Sequence, residues 1–192
     1  NQAPLYLYTG IAYGQAQKHE KAISYLNNAA NLETEDKEAL AQIYSALGDS
    51  YNAVRRFNES DEAFEKSLAF SPDNTYTLNN YAYYLSLRGE KLAKAEQMSR
   101  KSNELEPGNP SFEDTLAWVL FQAKKYEEAR EWMEKAMAEG KKNSSTQFEH
   151  YGDILFHLDQ VEQSVEQWKK AVQLGSKSET LEKKIHEKKY FK

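Results

Sequence analysis

A small residue recurs about every 35 positions along this chain. One series is spaced by 38, 34, 35 and 35 residues. Its members are Gly10, Gly48, Ala82, Ala117 and Gly152. A second series with nearly the same period comprises Ala22, Ser60, Ala95, Ala129 and Ser164. Because a repeat of this length holds two helices and a turn, two series with one period predict stacked helix pairs.

Large apolar residues accompany the small ones at constant offsets. The fullest copy reads Tyr44-x2-Leu47-Gly48-x2-Tyr51, then Ser60-x3-Phe64, then Pro72. This pattern resembles the tetratricopeptide repeat (TPR) motif. The segments Arg88–Leu92 and Ala117–Leu120 are similar to those of bacterial TPR arrays. The resemblance implies an all-α fold, a right-handed α-solenoid of five TPR helix pairs plus a C-terminal capping helix.

The period divides almost the whole chain into repeats that we expect to form one continuous superhelical domain. The predicted repeats are 3–36, 41–74, 75–108, 110–143 and 145–177, followed by a capping helix in 178–192. The last segment is strongly polar, with Leu181 and Ile185 as its apolar edge, and is expected to solvate the end of the stack. One helix pair cannot bury its apolar stripe alone, so neighbouring pairs must stack.

Close crossing of the two helices explains the small residues. A side chain larger than Ala or Ser would push the helices apart, and Gly48→Leu should cost about 1–3 kcal/mol by overpacking. Helix starts are marked by Asn109 before Pro110 and by Ser144-x2-Gln147, a capping-box pattern. Asp159-x2-Glu162 predicts a second capping box with Asp as the cap.

Catalytic signatures are missing from the sequence. The 192 residues include no Cys, which excludes thiolate nucleophiles and Cys-ligated metals, and the chain has no Gly-rich phosphate loop and no G-x-S-x-G motif. His150, Asp153 and His157 share one helical face, but a solvated surface is favoured over a zinc site. We therefore expect no enzyme activity, no cofactor and no metal.

A candidate partner-binding groove follows from the resemblance, because the first helix of each TPR pair lines a concave surface. The face opposite the core-facing residues is read from helical spacing. Its candidate residues are Asp49, Asn52, Asn79, Tyr83, Asp114, Trp118, Phe121, Glu149, Asp153 and Phe156. An alternative is that Trp118 and Phe121 pack against the next repeat or an intramolecular helix.

The candidate groove combines carboxylates with aromatic rings and contains no Lys or Arg. Some TPR proteins grip a terminal carboxylate with basic groove residues, and this chain is not expected to bind chaperone tails in that way. We expect a protein or peptide partner with basic and apolar residues. On this interpretation, Trp118→Ala combined with Asp153→Lys should weaken binding and leave helical content intact.

The leading functional hypothesis is a protein–protein interaction scaffold or adaptor. One alternative is a non-catalytic TPR arm of a larger enzyme or signalling protein. Another is self-association through the first helix, Pro4 to Ala16, which carries Leu5 and Tyr8. A net charge of −5 argues against nucleic acid, and no run is apolar enough to span a bilayer. Because the chain begins at Asn1, we expect further upstream sequence, and the compartment, bacterial envelope or periplasm or cytoplasm, stays open.

Overall fold

The computed structural model describes residues 2–33, 35–138 and 142–191, which contain eleven α-helices and no strand. The helices are α1 (Ala3–Gln15), α2 (His19–Leu32), α3 (Lys37–Ala53), α4 (Phe57–Phe70), α5 (Thr75–Arg88), α6 (Leu92–Leu105), α7 (Pro110–Gln122), α8 (Tyr126–Ala136), α9 (Ser145–His157), α10 (Val161–Gln173) and α11 (Leu181–Glu187). The all-α prediction is confirmed. None of these helices is long and apolar enough to cross a membrane.

Two predicted helix starts are confirmed by their hydrogen bonds. The Ser144 hydroxyl accepts from the backbone N–H of Gln147, whose side chain accepts from the N–H of Ser144, at 3.2 and 2.9 Å. The Asn109 side chain accepts from the N–H of Ser111, with Pro110 at the first helical position. Both arrangements satisfy backbone donors that have no partner within the helix.

The predicted cap at Asp159 is wrong. Helix α10 begins at Val161, its N-cap is Gln160, and no side chain caps it. Asp159 instead has a φ of +60°, in the turn between the two helices of the pair. The corresponding turns place Gln17, Arg55 and Lys124 at positive φ as well. Asp tolerates this left-handed conformation better than most residues, which explains its presence two positions before the helix.

The chain divides into two compact units, Asn1–Tyr84 and Leu85–Lys192, with the division inside α5. In the first unit α1 packs on α2, α3 packs on α4, and α3 also contacts both helices of the first pair. One cluster of its buried core contains Leu7, Ala22, Ile23, Leu26, Ala29, Ile43, Leu47 and Ala63.

In the second unit α7 packs on α8 and α9 packs on α10, while α11 packs on α10. Trp168 of α10 is fully buried there and clusters with Val165, Ala171 and Leu181. Leu181 of the short last helix therefore belongs to the core of this unit.

The small residues lie where the helices of a pair approach most closely. A Cβ added to Gly48 would lie 2.6 Å from the Phe64 ring, and one added to Gly10 would lie 2.6 Å from Leu26. All five members of the second small-residue series are fully buried. The hydroxyl of the buried Ser60 donates a 2.8 Å hydrogen bond to the carbonyl of Gly48.

Candidate functional site

The ten predicted groove residues lie on the first helices α3, α5, α7 and α9, and their exposures differ widely. Four are nearly fully buried: Asn79, Trp118, Phe121 and Asp153. Six are half-buried: Asp49, Asn52, Tyr83, Asp114, Glu149 and Phe156. The face read from helical spacing is therefore partly an internal packing surface.

The aromatic residues of α7 pack within the second unit. The Trp118 ring stacks on the His150 ring with centroids 3.9 Å apart, and on the Phe121 ring at 4.8 Å. Phe121 also meets His157 at 5.0 Å and Tyr190 at 6.0 Å. This arrangement is the intramolecular alternative raised from the sequence. Contact of these rings with a partner stays a prediction.

Asp153 is the most deeply buried of the four predicted carboxylates. Both of its oxygens accept hydrogen bonds from the Lys184 ammonium, at 2.8 and 2.9 Å, and Oδ1 also accepts from the indole N–H of Trp168 at 2.9 Å. Burial raises the pKa of the Asp153 carboxyl, although the Lys184 ammonium acts in the opposite direction. The Asp153 carboxylate is thus stabilised by one cation, Lys184, and one neutral donor, Trp168.

Glu149, one turn earlier on α9, contacts the same part of the chain. It accepts from the hydroxyl of Ser178 at 2.7 Å and from Lys184 at 3.3 Å. We call residues 176–191 the C-terminal segment. Through Ser178, Lys184 and Tyr190, this segment lies on the predicted groove face of α7 and α9.

The expectation of a purely solvating C-terminal cap is wrong for Lys184, which is 2% exposed. The helix is also shorter than the predicted segment, spanning Leu181–Glu187. Leu181 supplies the predicted apolar contact, and Lys184 faces the same side one turn later. A buried ammonium is tolerated because two carboxylates face it.

The three residues weighed as a metal site have separate partners. The Nδ1 atom of His150 lies 2.9 Å from the Asp114 carboxylate, and the Nδ1 atom of His157 lies 2.9 Å from the backbone carbonyl of Asp153. The Asp153 carboxylate is committed to Lys184 and Trp168. Within the described residues, no group of three or more His, Cys, Asp or Glu side chains could hold a metal ion.

In the first unit, Asp49 is half-buried at the side of a cleft of about 360 Å³. Its carboxylate accepts from the Asn80 amide at 3.3 Å and from the Tyr84 hydroxyl. Burial raises the pKa of the Asp49 carboxyl to about 6. Burial, together with the charge of Asp49, also raises the pKa of Tyr84. Among the described residues, the donors that contact this carboxylate are neutral.

Comparison with known proteins agrees with the geometry. Residues 39–74 and residues 114–142 each match a family profile described as Tetratricopeptide repeat. This chain carries tetratricopeptide repeats. A TPR repeat-containing protein of Pseudomonas aeruginosa is 26% identical over 133 residues, which cover 69% of this chain and 22% of that protein. The chain thus spans about a fifth of the length of this curated relative.

Solved structures of TPR proteins share the fold. A structure titled as a functional characterisation of Pseudomonas aeruginosa pilF is 22% identical, covers 92% of this chain and 78% of its own, and has a TM-score of 0.76. A structure of MamA from Desulfovibrio magneticus RS-1 is 19% identical, covers 91% of this chain and 95% of its own, and has a TM-score of 0.73. A thermophilic TPR protein of Thermus thermophilus is 14% identical, covers 97% of this chain and 98% of its own, and has a TM-score of 0.72. At these identities the likeness concerns the fold alone.

Sequence reasoning missed Asn80, Tyr84 and Lys184 as neighbours of the candidate site. A positional signal was nevertheless present. The residue after the small crossing residue contacts the next first helix, or α11 after the last repeat, about 31 positions later, as Asp49 does with Asn80 and Asp153 with Lys184. In a TPR array, a constant offset of this kind arises because successive first helices pack side by side.

Proposed function

We propose that this TPR chain is a non-enzymatic scaffold that binds a segment of a partner protein on the exposed part of the groove face. The TPR fold generally mediates protein–protein interactions, and the groove face carries carboxylates beside aromatic rings. The partner is expected to combine basic residues with an apolar anchor, since such a segment complements both features.

One observation carries this proposal. In the second unit, a lysine and a tyrosine of the C-terminal segment already occupy the groove face. Lys184 pairs with Asp153 at 2.8 Å, and the Tyr190 ring lies 4.7 Å from the His157 ring. A partner segment with a basic and an aromatic residue could make the same kinds of contact with the groove face.

Capture from a lysate of the source organism, read by mass spectrometry, tests the proposal. Asn52→Lys places a cation on the groove face at the C-terminal end of α3, where a helix tolerates positive charge. Asn58→Lys makes the same chemical change at an exposed position of α4. We expect a specific protein that is captured by the wild type and by Asn58→Lys and is lost with Asn52→Lys.

Equal capture by both variants would place the binding surface elsewhere on the chain. The combination of Trp118→Ala with Asp153→Lys is a poor control, because both residues are buried and Asp153→Lys would confront Lys184 with a second cation. Circular dichroism of each variant separates lost binding from lost folding.

Self-association is a second candidate, favoured by exposed apolar residues on α1. Leu5 is 69% exposed and Tyr8 is 66% exposed, and Leu5 lines a shallow cleft together with Tyr6 and Tyr25. Apolar patches of this kind are frequent at interaction sites. Light scattering after sizing chromatography tests it: a concentration-dependent dimer lost in Leu5→Lys supports self-association, and a monomer at high concentration rejects it.

A non-catalytic role within a larger assembly is the third candidate. The Pseudomonas aeruginosa relative is a much longer protein, of which the matched region covers 22%. Repeats that occur inside longer chains often serve as their binding arms. Activity assays on a longer native chain, with and without the Asn52→Lys change, would show whether the repeats recruit a substrate.

A further inference from the structure

One contact recurs between successive first helices, and it differs chemically between the two units. The residue that follows the small crossing residue touches the next first helix. Trp118 stacks on His150 at 3.9 Å, and Asp153 pairs with Lys184 at 2.8 Å. In the first unit, Asp49 meets Asn80 at 3.3 Å. Asp49 and Asp153 are therefore carboxylates at equivalent positions of two repeats.

The two carboxylates have different partners. Asp153 is held by the Lys184 ammonium and by the indole N–H of Trp168. Trp168 lies opposite Gly152, and its equivalent opposite Gly48 is Phe64, which has no polar donor. Asp49 has only the Asn80 amide and the Tyr84 hydroxyl, and no cation among the described residues pairs with it. The cation that completes the site in one repeat is missing from the other.

Space for such a cation exists beside Asp49. The cleft of about 360 Å³ is lined by Ile11 and Leu26 and by the small residues Gly10 and Gly14. Apolar walls that end at a carboxylate suit a lysine, whose methylene stem packs on apolar surface while the ammonium meets the charge.

A second acceptor borders the same cleft. His19 lines it, and its buried Nδ1 atom has no hydrogen-bond partner among the described residues. An ammonium has three donors, and a neutral imidazole nitrogen can accept one of them. Buried polar atoms are nearly always hydrogen-bonded in proteins, so this nitrogen can accept from a donor that enters the cleft.

We propose that the cleft between α1, α2, α3 and α5 of the first unit binds a lysine side chain of the partner segment, with its ammonium paired to Asp49 as Lys184 is paired to Asp153. This inference rests on the proposed function and names the residue type that the partner presents. Lysine is proposed rather than arginine because the equivalent carboxylate, Asp153, is paired with a lysine, and because Asn80 and Tyr84 already take two of the acceptor sites of Asp49.

The test is a titration of the full chain with n-butylammonium, which represents the lysine side chain alone, followed by nuclear magnetic resonance. We expect saturable shifts of the Gly10 and Gly14 backbone amides and of the Asn80 side-chain amide. These shifts should vanish in Asp49→Asn and persist in Asp159→Asn, the same change at an exposed turn.

The carboxyl carbon of Asp49 provides a second readout. Bound n-butylammonium should move the pKa of this carboxyl from about 6 toward the ordinary value near 4, because the cation favours the ionised carboxylate. The other titratable groups at the cleft are His19 and Tyr84, with Tyr83 beside Tyr84, and their signals are followed in parallel.

Three results would overturn the proposal: no saturable shift, equal shifts in Asp49→Asn, or equal shifts with n-butanol, which lacks the charge. Stronger binding of n-propylguanidinium would reassign the cleft to arginine and reject lysine. Because the probe is a small molecule, failure here leaves partner capture intact, and failure of capture leaves a positive titration intact.

Discussion

At the residue scale, one position of the repeat differs in charge and in burial from one repeat to the next. The residue after the crossing residue is Asp49 in one repeat, Trp118 in another and Asp153 in a third. Each lies against the following first helix, so each is partly or fully removed from water. Burial without a cation leaves Asp49 a weaker acid than an exposed aspartate, with a pKa of about 6.

Replacing Asp49 by Asn should therefore change how stability depends on pH. The folded-state pKa of about 6 lies above the ordinary value of 3.8, so the folded chain binds a proton that the unfolded chain releases between these values. The free energy of unfolding consequently falls as pH rises from about 4 to about 6, by up to roughly 3 kcal/mol, and then levels off. Asp49→Asn should remove this fall.

Urea denaturation at pH 4, 5, 6 and 7 measures the effect. Asp159→Asn, at an exposed position, is the control and should keep the wild-type slope. Asp153 also has a raised pKa, but its contribution is common to both variants. A slope that is identical in wild type and Asp49→Asn would contradict the environment described for Asp49.

Gly48 allows a second prediction at this scale. A Cβ at this position would lie 2.6 Å from the Phe64 ring, so Gly48→Leu should lower the free energy of unfolding by about 1–3 kcal/mol through overpacking. Gly14→Ala is the matched control, because its Cβ would meet nothing closer than 3.7 Å. Thermal denaturation should show a lower Tm for the first variant and no loss for the second.

At the scale of elements, the seven-residue helix α11 contacts both the core of the second unit and the carboxylates of α9. This short helix contributes Leu181 to the core and Lys184 to the carboxylates of α9. A helix of this length has little stability of its own, so these contacts stabilise it. The ion pair and the helix therefore depend on each other.

Lys184→Met should test that dependence. It leaves Asp153 buried without its cation, and breaking a buried pair in this way typically costs about 3–5 kcal/mol. We expect a lower Tm and faster amide hydrogen exchange in α11. Lys177→Met, which replaces an exposed lysine before the helix, should change neither quantity. Wild-type exchange in Lys184→Met would mean that the pair contributes little.

At the scale of the whole molecule, charge bears on the choice of partner. The chain has a formal net charge of −5, and the predicted groove residues contribute acids and no bases. A basic partner would be attracted before contact, and added salt would screen that attraction. A partner captured by the groove face should thus associate more slowly as ionic strength rises.

Surface plasmon resonance with the captured protein, at about 50 mM and about 500 mM salt, checks this expectation, because the Debye length falls severalfold over that range. The association rate should drop at least several-fold, and the dissociation rate should change less. Association that is independent of salt would point to an apolar interface, such as the one that Leu5 and Tyr8 offer on α1.

Periodicity predicted the helices, and local motifs predicted the two caps at Asn109 and Ser144, because a cap depends on residues close together in the sequence. The capping motif was misleading at Asp159, which lies in a left-handed turn, because such a motif does not show which residue begins the helix. Helix pairing followed from the small residues, whose close approach is confirmed at Gly10, Gly48 and Gly152.

The class of the fold, its repeat period and the chemical character of its first helices could therefore be predicted from the residues alone. Which groove residues are buried, and which cations reach the carboxylates, depends on contacts between helices that are distant in the sequence. Lys184 lies 31 residues from Asp153, and nothing local distinguishes it from the exposed lysines around it. Helical spacing places a residue on a face, but what covers that face depends on how the next helix packs against it.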